Sequence, residues 1–170
     1  GVVSHVGAAS TAGNRSVHLV RIPAAVQAGD LLVLAMVSNS TDGTLTDPAG
    51  WTITESVDGN GVRGRVWTKT AGFGDADTDV TVTTSLVLKT TLSVAAYRSS
   101  IGFPSVTATE GTVVNLSASS HTAPAVAVPS TVIPCFTIAP APMKPTPVAT
   151  PSSVLFHSPE CPGDECCAIT

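Results

Sequence analysis

The sequence predicts an all-β protein: an antiparallel β-sandwich, jelly-roll or immunoglobulin-like, followed by an extended Pro/Cys-rich C-terminal tail. Three observations carry this. From Val17 to Tyr97 the chain breaks into short apolar or alternating runs separated by Gly, Asp and Pro turns every ten or so residues, the spacing of strands in a sandwich. No window sustains a 3.6-residue apolar period with capping signals, so no helix is expected. The composition is 43% hydrophobic but only 12% charged, against about 25% charged in an average soluble domain. Gly, Pro, Ser, Thr, Ala and Val fill the difference and suit strands and turns. A chain of 170 residues can hold one domain with a sizeable core and an appendage. The expected division is a sandwich over 1–130 and a tail over 131–170.

The elements follow in order. "VHLVRIP" begins at Val17 and is closed by Pro23, and "AGD" turns the chain at Ala28 to Asp30. "LLVLAMV", Leu31 to Val37, is apolar on both faces and belongs in mid-sheet. "WTITESV" and "VRGRVWTKT" flank "DGNG", whose Asp-Gly and Asn-Gly steps tolerate the positive φ of a tight hairpin. "VTVTTS" and "LKTTLSVAAYR" read as two further strands.

The strand "VRGRVWTKT" poses the main question of the site. Side chains alternate along a strand, so Arg63, Arg65, Trp67 and Lys69 share one face and Val62, Gly64, Val66 and Thr68 the other. Regular alternation with Trp67 inward would draw three cations toward the core, a heavy cost if they are unpaired. Two readings stay open. A bulge near Gly61 or Gly64 would flip the register and bury the indole. Without one, Trp67 would lie outward between Arg65 and Lys69 as a ligand-binding platform. Trp51, opening a strand with Ile53 at the same parity, reads as a core-edge residue. Tyr97 falls out of phase with the apolar face of Leu92, Val94 and Ala96.

The words "STAGNRSVHLVRIPAAVQAGDLLVL", "DPAGWTITESVDGNGVRGRVWTKTA", "DVTVTTS", "LSVAAYR" and "HTAPAVAVPS" resemble a β-sandwich module of secreted, multidomain actinobacterial proteins and of some actinobacteriophage proteins. In the former such modules stand beside polycystic-kidney-disease-type or fibronectin-type repeats. The likeness runs from about Val3 to Ser130 and rests on strand and turn words without a catalytic signature. It implies a non-enzymatic extracellular accessory module, carbohydrate-binding or adhesive, with no ligand residues to carry across.

After Ser130 the text departs from that pattern. Eight of the thirteen prolines, from Pro134 to Pro162, and all four cysteines lie there. Proline removes ladder donors, so 134–151 should run extended. Cys135, Cys161, Cys166 and Cys167 are disulfide candidates with three possible pairings. A zinc site with His157 fits poorly, because adjacent cysteines depart from the usual spacing. The run "DADTD" places Asp75, Asp77 and Asp79 as a calcium loop would open, but Val80 and Leu86 occupy the positions that need Gly and Glu. A solvated turn is the expectation there.

Function classes narrow accordingly. A net charge of −4 with pI near 5.4 lacks the basic excess of a nucleic-acid binder. No apolar run reaches the length of a membrane span. No Gly-x-Ser-x-Gly elbow is present, and the four histidines show no recognisable nucleophile spacing. The expectation is a protein without enzymatic activity or cofactor, located extracellularly or on a virion surface, whose partner is a glycan or protein surface. The alternative is a structural assembly or virion-surface protein, a decoration or tail component, that self-associates through its tail.

Overall fold

The computed structural model describes residues 2–59, 61–102, 104, 106, 136–137 and 155–156. The boundary expected at residue 130, the four cysteines and His157 lie outside the described residues. Those described contain strands and no helix. The strands are β1 (Val3–Arg21), β2 (Leu31–Ser38), β3 (Leu45–Thr46), β4 (Thr52–Gly59), β5 (Val62–Thr70), β6 (Asp79–Ser99), β7 (Phe136–Thr137) and β8 (Leu155–Phe156). The first six form one antiparallel sheet in the order β1-β6-β2-β5-β4, with β3 pairing β6, while β7 and β8 pair with each other.

β2 occupies the middle of the order, as a strand apolar on both faces must, and all eight of its residues are buried. β4 and β5 form the hairpin signalled by "DGNG": Gly59 opposes Val62, and Gly61 turns the chain at a φ of 76° that a side chain would resist. One stretch of strand went unread, and one expectation needs correction. The segment before Val17 is strand from Val3 onward, an edge strand of mostly small and polar residues whose weak alternation gave no signal. "VTVTTS" and "LKTTLSVAAYR" are not separate strands but one, the 21-residue β6.

β6 and β1 are nevertheless not straight. The Ile22 amide donates to the Thr78 carbonyl at 2.8 Å, and Arg98 Nη2 donates to the Ala25 carbonyl at 3.1 Å. Residues 22 to 25 reach at most about 10 Å, whereas a straight strand from 78 to 98 would span about 66 Å. The two ends of β6 are therefore brought back together. β1 folds with it: Thr11 Oγ1 donates to the Leu19 carbonyl at 2.7 Å, and a Cβ on Gly7 would meet the Pro23 ring at 3.0 Å. The crease falls where the β1/β6 register slips, between Arg15 and Val17 on one strand and Thr83 and Leu88 on the other.

Folding the ribbon gives the sheet its interior. Val20, Val80 and Val82 from the returned half join Leu32, Leu34, Met36, Trp67, Leu92, Val94 and Ala96 in one buried cluster, with Leu45 and Trp51 at its margin. The opposite face carries a second cluster of Leu31, Val33, Ala35, Val66, Ala95 and Tyr97, against which Val3 and Val106 pack. Tyr97 thus lies out of phase with Leu92, Val94 and Ala96 as its parity requires, and its ring meets His5 edge-on at 5.7 Å. Trp51 is the core-edge residue expected.

Candidate functional site

Trp67 lies in the core with no exposed surface, and it arrives there without a bulge in β5. β5 pairs β2 in unbroken register from Arg63 opposite Ser38 to Thr70 opposite Leu31, with Trp67 opposite Leu34. The only slip in the hairpin belongs to β4, between Ile53 and Glu55. Regular alternation therefore holds and Trp67 still points inward, which corrects both readings: no bulge is needed to bury the indole, and the absence of one does not turn the ring outward. The indole Nε1–H is satisfied by Asp47 Oδ1 at 3.0 Å.

The cations that share its face are drawn inward and paired. Arg65 grips Asp58 at two points, Nη1 to Oδ1 and Nη2 to Oδ2, each at 2.8 Å, and also donates to the Val57 carbonyl at 3.0 Å. Arg63, 6% exposed, donates to the carbonyls of Thr41 and Gly43 and contacts Asp58 at 3.4 Å. Lys69 Nζ meets Asp75 Oδ1 at 2.7 Å. The platform expected from Trp67, Arg65 and Lys69 is therefore corrected: the ring offers no face to a ligand, and both cations are occupied within the chain.

The same pairings explain "DADTD". Asp75 faces Lys69, while Asp77 and Asp79 face Arg21 at 3.3 and 3.0 Å. Each carboxylate is directed at a cation of the chain, and among the described residues no group of three or more His, Cys, Asp or Glu is placed to hold a metal ion.

What these pairings build is a braced loop from β5 to β6. Ala71 exchanges backbone bonds with Gly29 and Asp30, each at 2.8 Å. Asp75 Oδ2 accepts from the Gly72 amide at 2.7 Å, and the Asp75 carbonyl accepts from Thr78 Oγ1 at 2.6 Å. Gly74 takes a φ of 93° and Asp77 a φ of 57°, a left-handed step that aspartate tolerates better than most residues. Phe73 stands between Gly72 and Gly74, completely exposed. Parity reasoning missed it, because the residue sits on a loop without periodicity. The available signal was "GFG", a large ring flanked by glycines in a polar turn.

Charge pairing also sets the ionisation of the supporting aspartates. The guanidinium of Arg65 holds the Asp58 carboxyl below the usual range, and Arg98 does the same for buried Asp30 through Nε and Nη2, both at 2.7 Å. At Asp75 burial opposes ionisation, but the Lys69 ammonium and the Gly72 amide together outweigh it, and its pKa is also lowered. His18 is held below its ordinary value, by burial first and by the charge of Arg15 second.

Comparison of the chain with protein families, with curated proteins and with solved structures found no match.

Proposed function

We propose that the chain is a non-enzymatic extracellular binding or adhesion module, a β-sandwich formed by folding the β1/β6 ribbon over the sheet, which presents Phe73 to a glycan surface. The observation that carries this reading is the complete exposure of Phe73 on a loop fixed by Lys69–Asp75 and by backbone bonds to Gly29 and Asp30. An exposed aromatic ring costs free energy in water, and a rigid loop holds it there without the ordering cost that a mobile one would incur on binding. The ring can stack on the apolar face of a sugar, and the cations that serve the module brace strands and loops rather than a reacting centre. The resemblance that the sequence words carry to secreted actinobacterial modules implies the same role. The assembly alternative draws less support, since the described residues of the tail pair with each other, Phe136 opposite Phe156 and Thr137 opposite Leu155.

Co-sedimentation of the full chain with insoluble cellulose, chitin and peptidoglycan tests this. Retention on at least one, without release of soluble sugar, is expected. Failure to sediment with any of the three, or release of sugar abolished by one Ser, His or Asp substitution, contradicts it.

A further inference from the structure

Seven of the chain's eight cations lie among the described residues, and five of these are held by carboxylates. Arg63 and Arg65 face Asp58, Lys69 faces Asp75, Arg21 faces Asp77 and Asp79, and Arg98 faces Asp30. Arg15 and Lys89 have no ion pair among the described residues. Both stand beside the crease, Arg15 opposite Leu88 and Lys89 opposite Asn14. Lys89 is nine residues along β6 from Arg98, about 30 Å, several times the distance over which physiological salt screens a charge.

The loop that carries Phe73 is tied to the other end of the sheet. Ala71 bonds to Gly29 and Asp30, Asp30 holds Arg98, and the Ile22 amide reaches the Thr78 carbonyl. The cations gathered there are Arg21, Lys69 and Arg98, and the carboxylates are Asp30, Asp75, Asp77 and Asp79, three positive charges against four negative. Gly72 and Gly74 flank the ring, and the bonds to Gly29 bring the loop of Ala24, Ala25, Gln27 and Ala28 alongside; all six are exposed and uncharged. A carboxylate-bearing sugar would meet a like net charge here and lose water without gaining a charged partner, which is costly. An uncharged sugar meets no such penalty. Its apolar face covers the ring, and its hydroxyls keep their contact with water.

We propose that the surface around Phe73 selects uncharged polysaccharides, polymers of neutral hexose or N-acetylhexosamine, and rejects polyanionic glycans. The commitment of Arg21, Lys69 and Arg98 to carboxylates sets this selection, because it leaves the loops net negative with no cation to spare among the described residues. Such selection presupposes the glycan-binding role proposed above and adds the class of glycan. Of the three insoluble polymers named there, cellulose and chitin fit it, whereas the stem peptides of peptidoglycan carry carboxylates.

Retention of the full chain on beads carrying hydroxyethylcellulose, glycol chitin or alginate, at low and at high sodium chloride, tests this. At least one of the two neutral polymers should retain the chain equally at both salt concentrations, and alginate should not retain it. A second measurement moves the charge. Asp77→Asn/Asp79→Asn leaves Arg21 unpaired and turns the balance to three positive charges against two. Retention on alginate at low salt should then rise, relative to the neutral beads, by about threefold or more, the Coulomb effect of two charges at about 10 Å in water. High salt should abolish the gain. Retention of the unaltered chain on alginate equal to or above that on the neutral beads would overturn the selection while leaving glycan binding standing. No gain on alginate in a folded double variant would overturn it equally. Retention on none of the beads would instead refute glycan binding itself, and the selection with it. The comparison on the unaltered chain stands even if the double variant does not fold.

Discussion

Arg65 holds Asp58 with two parallel bonds of 2.8 Å across the β4/β5 hairpin, two residues along β5 from Arg63 on one side and from the buried ring of Trp67 on the other. This pairing allows one strand to carry a tryptophan and cations on the same face of a core. Removing Asp58 should therefore destabilise the fold. Asp58→Asn is expected to cost about 2 kcal/mol in urea unfolding, less than the 3–5 of a fully buried broken pair because the Asp58 side chain is half-exposed. Asp79→Asn, whose partner Arg21 is exposed, should change stability by less than about 0.5 kcal/mol.

Trp67→Ala should cost about 3–5 kcal/mol, the loss of a large side chain from a filled core. Asp47→Ala should cost less, about 1–2 kcal/mol, for the acceptor removed from the indole N–H. Equilibrium unfolding of the two variants checks the order.

The fold was legible in the sequence wherever one strand's own pattern decided its place. "LLVLAMV" declared a central strand, and "DGNG" declared a hairpin. Val3 to Ser16 was not legible, because a small, polar edge strand is held by its partner β6 rather than by its own periodicity. The crease in β6 was also hidden, since "VTVTTS" and "LKTTLSVAAYR" keep the same parity on both sides of it. At the candidate site, the sequence correctly showed that Trp67, Arg65 and Lys69 share a face. It could not show which face, because Asp58 and Asp75, the residues that make burial tolerable, approach from turns whose direction is set only by the fold. Phe73 lay outside every periodic pattern.

Acid should unfold the protein in two stages. His18 has a lowered pKa in the folded state, so below about pH 6.5 the unfolded chain takes up its proton first and stability begins to fall. Asp30, Asp58 and Asp75 also have lowered pKa values when folded. Their contribution is complete above the ordinary carboxylate range near about pH 4 and is lost as pH falls through their folded values. Melting temperature against pH should thus decline gently below about pH 6.5 and steeply below about pH 4. His18→Gln should remove the gentle stage only.

The outer face of the sheet provides a further test. Val106 packs on the cluster of Leu31, Val33, Ala35, Val66, Ala95 and Tyr97. Truncation after Gly102 should destabilise the domain by at least about 1 kcal/mol through lost apolar cover. Truncation after Ser130 keeps Val106 and should retain a folded domain, and light scattering of that shorter chain tests whether self-association depends on the tail.

Phe73 on its braced loop, rather than the strand that carries Trp67, is the proposed point of contact with a partner. The most direct measurement is co-sedimentation of Phe73→Ser with whichever of cellulose, chitin and peptidoglycan retains the unaltered chain, with melting temperature recorded alongside. Binding should be lost and melting unchanged, because Phe73 is fully exposed and supports nothing in the core. Binding that persists undiminished in Phe73→Ser would contradict it.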